Sequence, residues 1–171
     1  MRHDPMPVNF VATPYGRIAC REIGSGPAAV FLHGLPLSGR EWREVMPALA
    51  GLRRCIAIDQ PGLGETEPAE GIDLSYAGQA GMLAACLDRL GVEQVDLVGN
   101  DTGGGIAQLF LARHGERVRS LTLTNCEVHD LWPNALLKGF YDGVADGSVS
   151  ALLRAMLGDT ALGQAHLGRL V

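Results

Sequence analysis

Gly99-Asn100-Asp101-Thr102-Gly103-Gly104 is the stretch that decides how the rest of this chain is arranged. It follows an apolar run at residues 95–98 and precedes an apolar helical stretch at residues 106–112. A strand that turns abruptly into a helix needs small residues on both sides of the apex. Gly99 and Gly103 supply them, two positions either side of Asp101. The spacing is that of a G-x-S-x-G elbow with aspartate in place of serine. The apex side chain is pushed toward solvent, and the helix N-terminus behind it favours a negative charge. Two roles stay open for Asp101 at this point: a cap on the following helix, or a carboxylate nucleophile.

Two further segments share the same design. Residues 28–32, Ala-Ala-Val-Phe-Leu, read as a buried strand ending in His33-Gly34-Leu35-Pro36. Residues 55–58, Cys-Ile-Ala-Ile, read as another, ending in Asp59-Gln60-Pro61-Gly62-Leu63-Gly64. In this order the three motifs resemble the α/β-hydrolase family, and aspartate at the apex resembles its haloalkane dehalogenases and epoxide hydrolases. The resemblance spans about residues 8–130, and the three motifs together are far more specific than any one of them.

The resemblance implies an α/β-hydrolase fold, a mostly parallel sheet with crossover helices and a partial helical cap. It implies Asp101 as nucleophile, with the backbone N–H groups of Leu35 and Thr102 as the oxyanion hole. A carboxylate attacking an ester carbonyl would give an anhydride. Attack on a saturated carbon, displacing halide or opening an epoxide, gives a stable alkyl ester that water can cleave. The expected substrate is therefore a small organic molecule of halide or epoxide type. Both subfamilies place an aromatic residue after the aspartate, and here Thr102 stands there. Leu35 also offers no polar side chain.

Length and composition set the frame. The chain has 171 residues, 47% of them apolar, which suits one domain with a real core. Net charge is −5 with scattered basic residues, so neither nucleic acid nor an anionic membrane surface is expected as a partner. No signal-peptide core and no membrane-length apolar run is present, and a cytoplasmic protein is the expectation. Cys20, Cys55, Cys86 and Cys126 lie far apart in or beside apolar segments. They read as small buried thiols, with a disulfide or metal role as the alternative. No glycine turn fits a dinucleotide or P-loop pattern, so no cofactor and no metal is expected.

Along the chain, residues 9–13 and 16–22 read as a hairpin. A strand to Leu32 follows, then a short helix at residues 41–49 that Pro47 splits or in which it begins a second turn. Residues 73–90 carry apolar positions at helical spacing and Gly91 stands at the cap position. A strand at 95–98, a helix at 104–114 and a strand at 118–124 complete an alternation that predicts parallel strands with functional loops beyond their carboxyl ends. The expected division is a core at residues 1–130 and the start of a helical cap at 131–171. Nothing after Thr124 reads as a strand. The expectation is a fragment or truncation, incomplete as a catalyst, whose last strands, catalytic acid and histidine base lie beyond Val171.

Five histidines are present. His3 is in the N-terminal arm, His33 belongs to the His-Gly loop, His114 ends a helix and His166 falls in the cap segment. His129 is the one candidate base on the correct edge of the sheet. Asn125, at the end of a strand, is a candidate for the substrate region or for support of the base, and Glu127 is an alternative acid; both also serve as plain loop-satisfying groups. Trp42 and Trp132 are candidates to line a substrate pocket, against packing in the core and at the cap hinge. Asp59 is expected to cap its own glycine turn, and Asn100 to tie down the elbow. A different class of function also fits: a non-catalytic α/β domain that binds a small ligand or a partner.

Overall fold

The computed structural model describes residues 6–126, with residues 138–139, 142–143, 146–149, 151 and 155 of the remainder. The chain divides into two compact units, Met1–Cys126 and Glu127–Val171. In the second, Lys138 pairs with Asp142 one helical turn away. His3, Glu127, His129, Trp132 and His166 lie outside the described residues.

The first unit is built on a seven-stranded sheet. Strands β1 (Val8–Thr13) and β2 (Gly16–Ile23) form the antiparallel hairpin, and β2 pairs antiparallel with β4 (Arg54–Ile58). Parallel pairing then runs β4 to β3 (Ala28–Leu32), β3 to β6 (Val95–Asn100) and β6 to β7 (Val118–Thr124). The order is β1-β2-β4-β3-β6-β7. A two-residue strand, β5 (Glu67–Pro68), adds to the edge of β2. No apolar run announces β5; backbone pairing alone makes it a strand.

Strands β3 and β4 have helices on both faces, which is why they read as unbroken apolar runs. On one face lie α2 (Tyr76–Arg89) and α3 (Thr102–Arg113), whose Met82, Leu83, Leu87, Ile106 and Phe110 meet Val30, Leu32, Ile56 and Ile58. On the other, Met6, Trp42 and Met46 cover Ala29, Phe31, Cys55 and Ala57. Period-two alternation along β3 thus feeds two separate cores.

Local chemistry accounts for the helix ends. The α2 helix begins later than its apolar spacing predicts because Ser75 is the cap, its Oγ accepting from Gly78 N at 3.2 Å. Asp73 instead folds back on Ser75 N at 2.8 Å. Gly91, at φ 66°, ends the helix in the left-handed conformation. The stretch expected as one helix at 41–49 is a 3-10 turn, Gly39–Trp42, followed by α1 (Val45–Leu49). Pro47 does not split one helix but stands in a second turn, the other role its position offered. Pro47 sits in the first turn of α1, where no intrahelical partner awaits its missing N–H, and the break falls before it.

Beneath the carboxyl ends of β3 and β4 lies a buried ion pair. Arg21 Nη1 donates to Asp59 Oδ1 at 3.2 Å, with side chains 2% and 0% exposed. Asp59 also accepts from Gly39 N at 2.6 Å and Glu65 N at 2.8 Å. It caps the glycine turn, as its position implied, and in addition ties that turn to β2 and to the segment after β3. Replacing it with alanine takes one of two carboxylates from a buried guanidinium, which keeps Glu65 Oε1 at 2.8 Å on Nη2, and leaves two backbone donors without their acceptor. Asp59→Ala is expected to cost about 3–5 kcal/mol of folding stability, measured by denaturant unfolding.

Candidate active site

Strand order reverses at β3: the chain goes from β3 to β4 on one side and returns through β6 on the other. Such a switch point opens a crevice beyond the strand ends. The loop after β3 and the elbow after β6 meet there.

Asp101 occupies the apex with φ 51° and ψ −122°. A non-glycine residue held so costs on the order of 1–3 kcal/mol. Its neighbours explain how it stays. A Cβ on Gly99 would lie 2.6 Å from Gly103 O, one on Gly103 2.6 Å from His33 O, and one on Gly34 2.7 Å from Asp101 Cβ. Strand, helix and loop backbones are in mutual contact, and only glycine fits between them.

Among the described residues the Asp101 carboxylate is bonded on one side only. Oδ1 accepts from Thr102 N at 2.6 Å and from Leu35 N at 3.0 Å. An ordinary helix cap has extended backbone and bonds the second or third helical N–H. Asp101 has neither property: it bonds the first N–H and an amide from a different loop. The Leu35 side chain is 40% exposed. Thr102 Oγ1 turns toward Gln60 Oε1 at 3.4 Å.

His33 is buried behind this loop. Its Nδ1–H donates to Gly34 O at 2.9 Å and its Nε2 accepts from Gln60 N at 2.9 Å. Burial lowers its pKa below the ordinary 6.5, so the ring is neutral and fully engaged. The Gln60 amide also donates to His33 O.

Glu41 was not singled out by sequence reasoning, since nothing in its neighbours marks it. From the 3-10 turn it reaches back under the loop. Oε2 accepts from Gly34 N at 3.0 Å, and Oε1 from Asn100 Nδ2 at 2.6 Å. Asn100 Oδ1 in turn accepts from Thr124 Oγ1 at 2.9 Å. Asn100 therefore ties the elbow to its neighbours rather than facing outward. Burial pushes the Glu41 carboxyl above its ordinary 4.5; the negative Asp101 adds to this, and the bonds from Gly34 and Asn100 oppose it.

The other candidates separate. Trp42 is buried and packs on Phe31, ring centroids 5.3 Å apart, in the core on the α1 face. Asn125 follows β7 as an exposed residue with φ 46°. His114 stacks on Phe110 at the far end of α3, centroids 4.9 Å apart. Among the described residues no disulfide joins any of the four cysteines. Burial raises the pKa of Cys20 to about 11 and of Cys86 to about 12, which makes them inert packing groups. Among the described residues no group of three or more potential ligands could hold a metal ion, and no helix is long and apolar enough to cross a membrane.

Residues 27–160 match the family model described as alpha/beta hydrolase fold. The chain belongs to that family. It is 39% identical over 140 residues to "Epoxide hydrolase 2" of Siraitia grosvenorii, covering 80% of this chain and 40% of that protein. It is 39% identical over 105 residues to "2-hydroxy-6-oxo-2,4-heptadienoate hydrolase" of Pseudomonas putida, covering 60% of this chain and 38% of the other. Among solved structures, haloalkane dehalogenase DbeA from Bradyrhizobium elkani superposes with a TM-score of 0.64 at 34% identity, over 71% of this chain and 42% of that one. The chain thus spans about two-fifths of these relatives' length, 38–42%.

Two outcomes are expected. Gly103→Val drives a branched side chain into the carbonyls that end β3, and should lower stability by about 3 kcal/mol or more in denaturant unfolding. For Glu41, a raised pKa means the folded state binds its proton more tightly than the unfolded chain. The stability that follows is fully present below the ordinary 4.5 and is lost as pH rises through the folded value. Glu41→Gln cannot ionise, so its unfolding midpoint should exceed that of the native protein at neutral pH, and the gap should close as the pH approaches 4.5.

Proposed function

We propose that this chain carries the nucleophile of a hydrolase that acts on a small alkyl halide or epoxide through a covalent Asp101 ester. The observation that carries the proposal is the division of labour within one carboxylate. Oδ1 accepts from both Leu35 N and Thr102 N, and Oδ2 accepts no hydrogen bond from the described residues. Oδ2 attacks the saturated carbon. A C–O bond to the substrate forms while the carbon–halogen or epoxide C–O bond breaks, its electrons leaving on halide or on the ring oxygen. Oδ1 becomes the carbonyl oxygen of the ester and already rests on two N–H donors. Water then adds at Asp101 Cγ, negative charge develops on Oδ1, and the same donors stabilise it. Collapse expels the alkoxide, which takes a proton to leave as the alcohol, and the water oxygen remains in the carboxylate.

The water needs a general base. His33 cannot supply it, both ring nitrogens being engaged. His114 stands at the opposite end of a twelve-residue helix, about 18 Å away at 1.5 Å per residue. Neither described histidine is therefore the base. Relatives bearing the names epoxide hydrolase and haloalkane dehalogenase agree with the proposed electrophile class.

Repeated turnover in heavy-oxygen water tests the mechanism. The peptide containing Asp101 should gain mass, since each ester cleavage leaves a solvent oxygen in its carboxylate. Asp101→Asn should abolish alkylation, a neutral amide being a far weaker nucleophile. Label entering the product on the first turnover, with an unchanged Asp101 peptide, would mean that water attacks the substrate directly and that the covalent mechanism is wrong.

A further inference from the structure

The Leu35 amide faces Asp101 only while the Gly34–Leu35 peptide keeps its orientation, and that peptide sits in a loop, not in a strand. Its carbonyl is held from two sides: Gly34 O accepts from Leu37 N at 2.8 Å and from His33 Nδ1–H at 2.9 Å. The adjoining N–H, that of Gly34, is buried and has one acceptor, Glu41 Oε2 at 3.0 Å. Glu41 is itself fixed. Its turn starts at Gly39, whose N–H bonds the buried Asp59, and its other oxygen accepts from Asn100, the residue preceding Asp101.

We propose that Glu41 is the positioning residue for the Leu35 side of the site: by accepting from Gly34 N and Asn100 Nδ2 together, it locks the loop after β3 to the elbow after β6. This rests on the function proposed above and adds to it a residue that touches neither substrate nor reacting atoms.

The chemistry of the position supports a carboxylate. Two donors converge on it, and an ionised carboxylate is the side chain that offers two acceptors and no donor. The charge also sets the Asn100 amide, because the reversed amide would bring its oxygen against a carboxylate oxygen. That leaves Asn100 Oδ1 to accept from Thr124 Oγ1. Glutamine at position 41 puts an NH₂ where Asn100 donates. The conflict resolves if Asn100 turns over: Oδ1 then accepts from the new amide, Nδ2 donates to Thr124 Oγ1, and the glutamine oxygen still accepts from Gly34 N. Glu41→Gln thus keeps the lock through Thr124, whereas Glu41→Leu loses it.

The test uses the intact protein with styrene oxide and bromobutane as probes. Alkylation and ester hydrolysis are followed separately from the mass of the Asp101 peptide, and amide hydrogen exchange is followed at Leu35. Loss of one oxyanion donor costs about 10²-fold or more in rate. Glu41→Leu should slow ester hydrolysis by about that factor, more than it slows alkylation, so that alkylated enzyme accumulates and the Leu35 amide exchanges faster. Glu41→Gln should retain most of the rate. Combined with Thr124→Val, which removes the acceptor that the turned amide needs, it should fall toward Glu41→Leu, while Thr124→Val alone should have little effect. Should Glu41→Leu fail to fold, the two glutamine variants decide the matter, since each alters only polar atoms at nearly constant shape. Unchanged hydrolysis and exchange in Glu41→Leu, or additive effects of Glu41→Gln and Thr124→Val, would overturn the proposal. Absence of any Asp101 ester in the native protein with both probes would instead count against the nucleophile. Leu35 exchange alone would then judge Glu41: faster in Glu41→Leu and near native in Glu41→Gln supports it, and no difference overturns it.

Discussion

Two backbone amides from beyond the ends of neighbouring parallel strands meet on one oxygen of Asp101, and the surrounding structure is organised to bring them there. The Leu35 amide belongs to the loop after β3 and the Thr102 amide to the helix after β6. They converge because β3 and β6 are hydrogen-bonded partners in register, Leu32 opposite Gly99. Slipping that register would carry the elbow past the loop. It would also exchange the two faces of β3, sending Val30 and Leu32 to the α1 face and Phe31 to the α2 face. The packing of two separate cores and the geometry of the site therefore depend on the same pairing.

Holding the apex at positive φ has a cost of order 1–3 kcal/mol, and the contacts around it offset it. The small residues at 99, 103 and 34 let three backbones close on one another. Around them sits a shell of buried and half-buried polar groups in which each member holds a different segment. Asp59 joins β2 to the start of the 3-10 turn, His33 bonds Gln60 in the loop after β4, and Glu41 joins the loop after β3 to the elbow. Such a network is stiff when fully satisfied and expensive when broken. It gives a loop site the rigidity that secondary structure gives a strand.

How much of this was legible in the sequence follows from the range of the interactions. The strands β3, β4 and β6 and the elbow itself are written in consecutive residues, as apolar runs ending in turns that carry glycine, and β7 as an alternation of apolar and polar residues. The Ser75 cap and Gly91 end are local signals too, although Asp73 competed with Ser75 for the role of cap. Glu41 and Arg21 are invisible by the same standard. Each looks like a surface charge in its own neighbourhood, and each acquires its function from a partner far along the chain: Asn100 for Glu41, 59 positions away, and Asp59 for Arg21, 38 positions away. Trp42 shows the converse limit. An aromatic beside a motif is a natural pocket candidate, and only the α1 face, with Phe31 and Met46 on it, displays Trp42 as part of the core.

Aspartate at the apex changes what the two amides are for. With serine there, the single side-chain oxygen is the attacking atom, and the amides are left to receive a carbonyl oxygen that the substrate brings. With Asp101 they already hold an oxygen of the protein itself, at 2.6 Å and 3.0 Å. A substrate carbonyl approaching the same spot meets an occupied site and a like partial charge. A saturated electrophile needs no such place, because the carbonyl that must later bear negative charge is created from Asp101 when the ester forms. On the proposed mechanism, then, selection between carbonyl and alkyl electrophiles is made at the elbow by one residue. The shape of the remaining pocket chooses only among alkyl substrates.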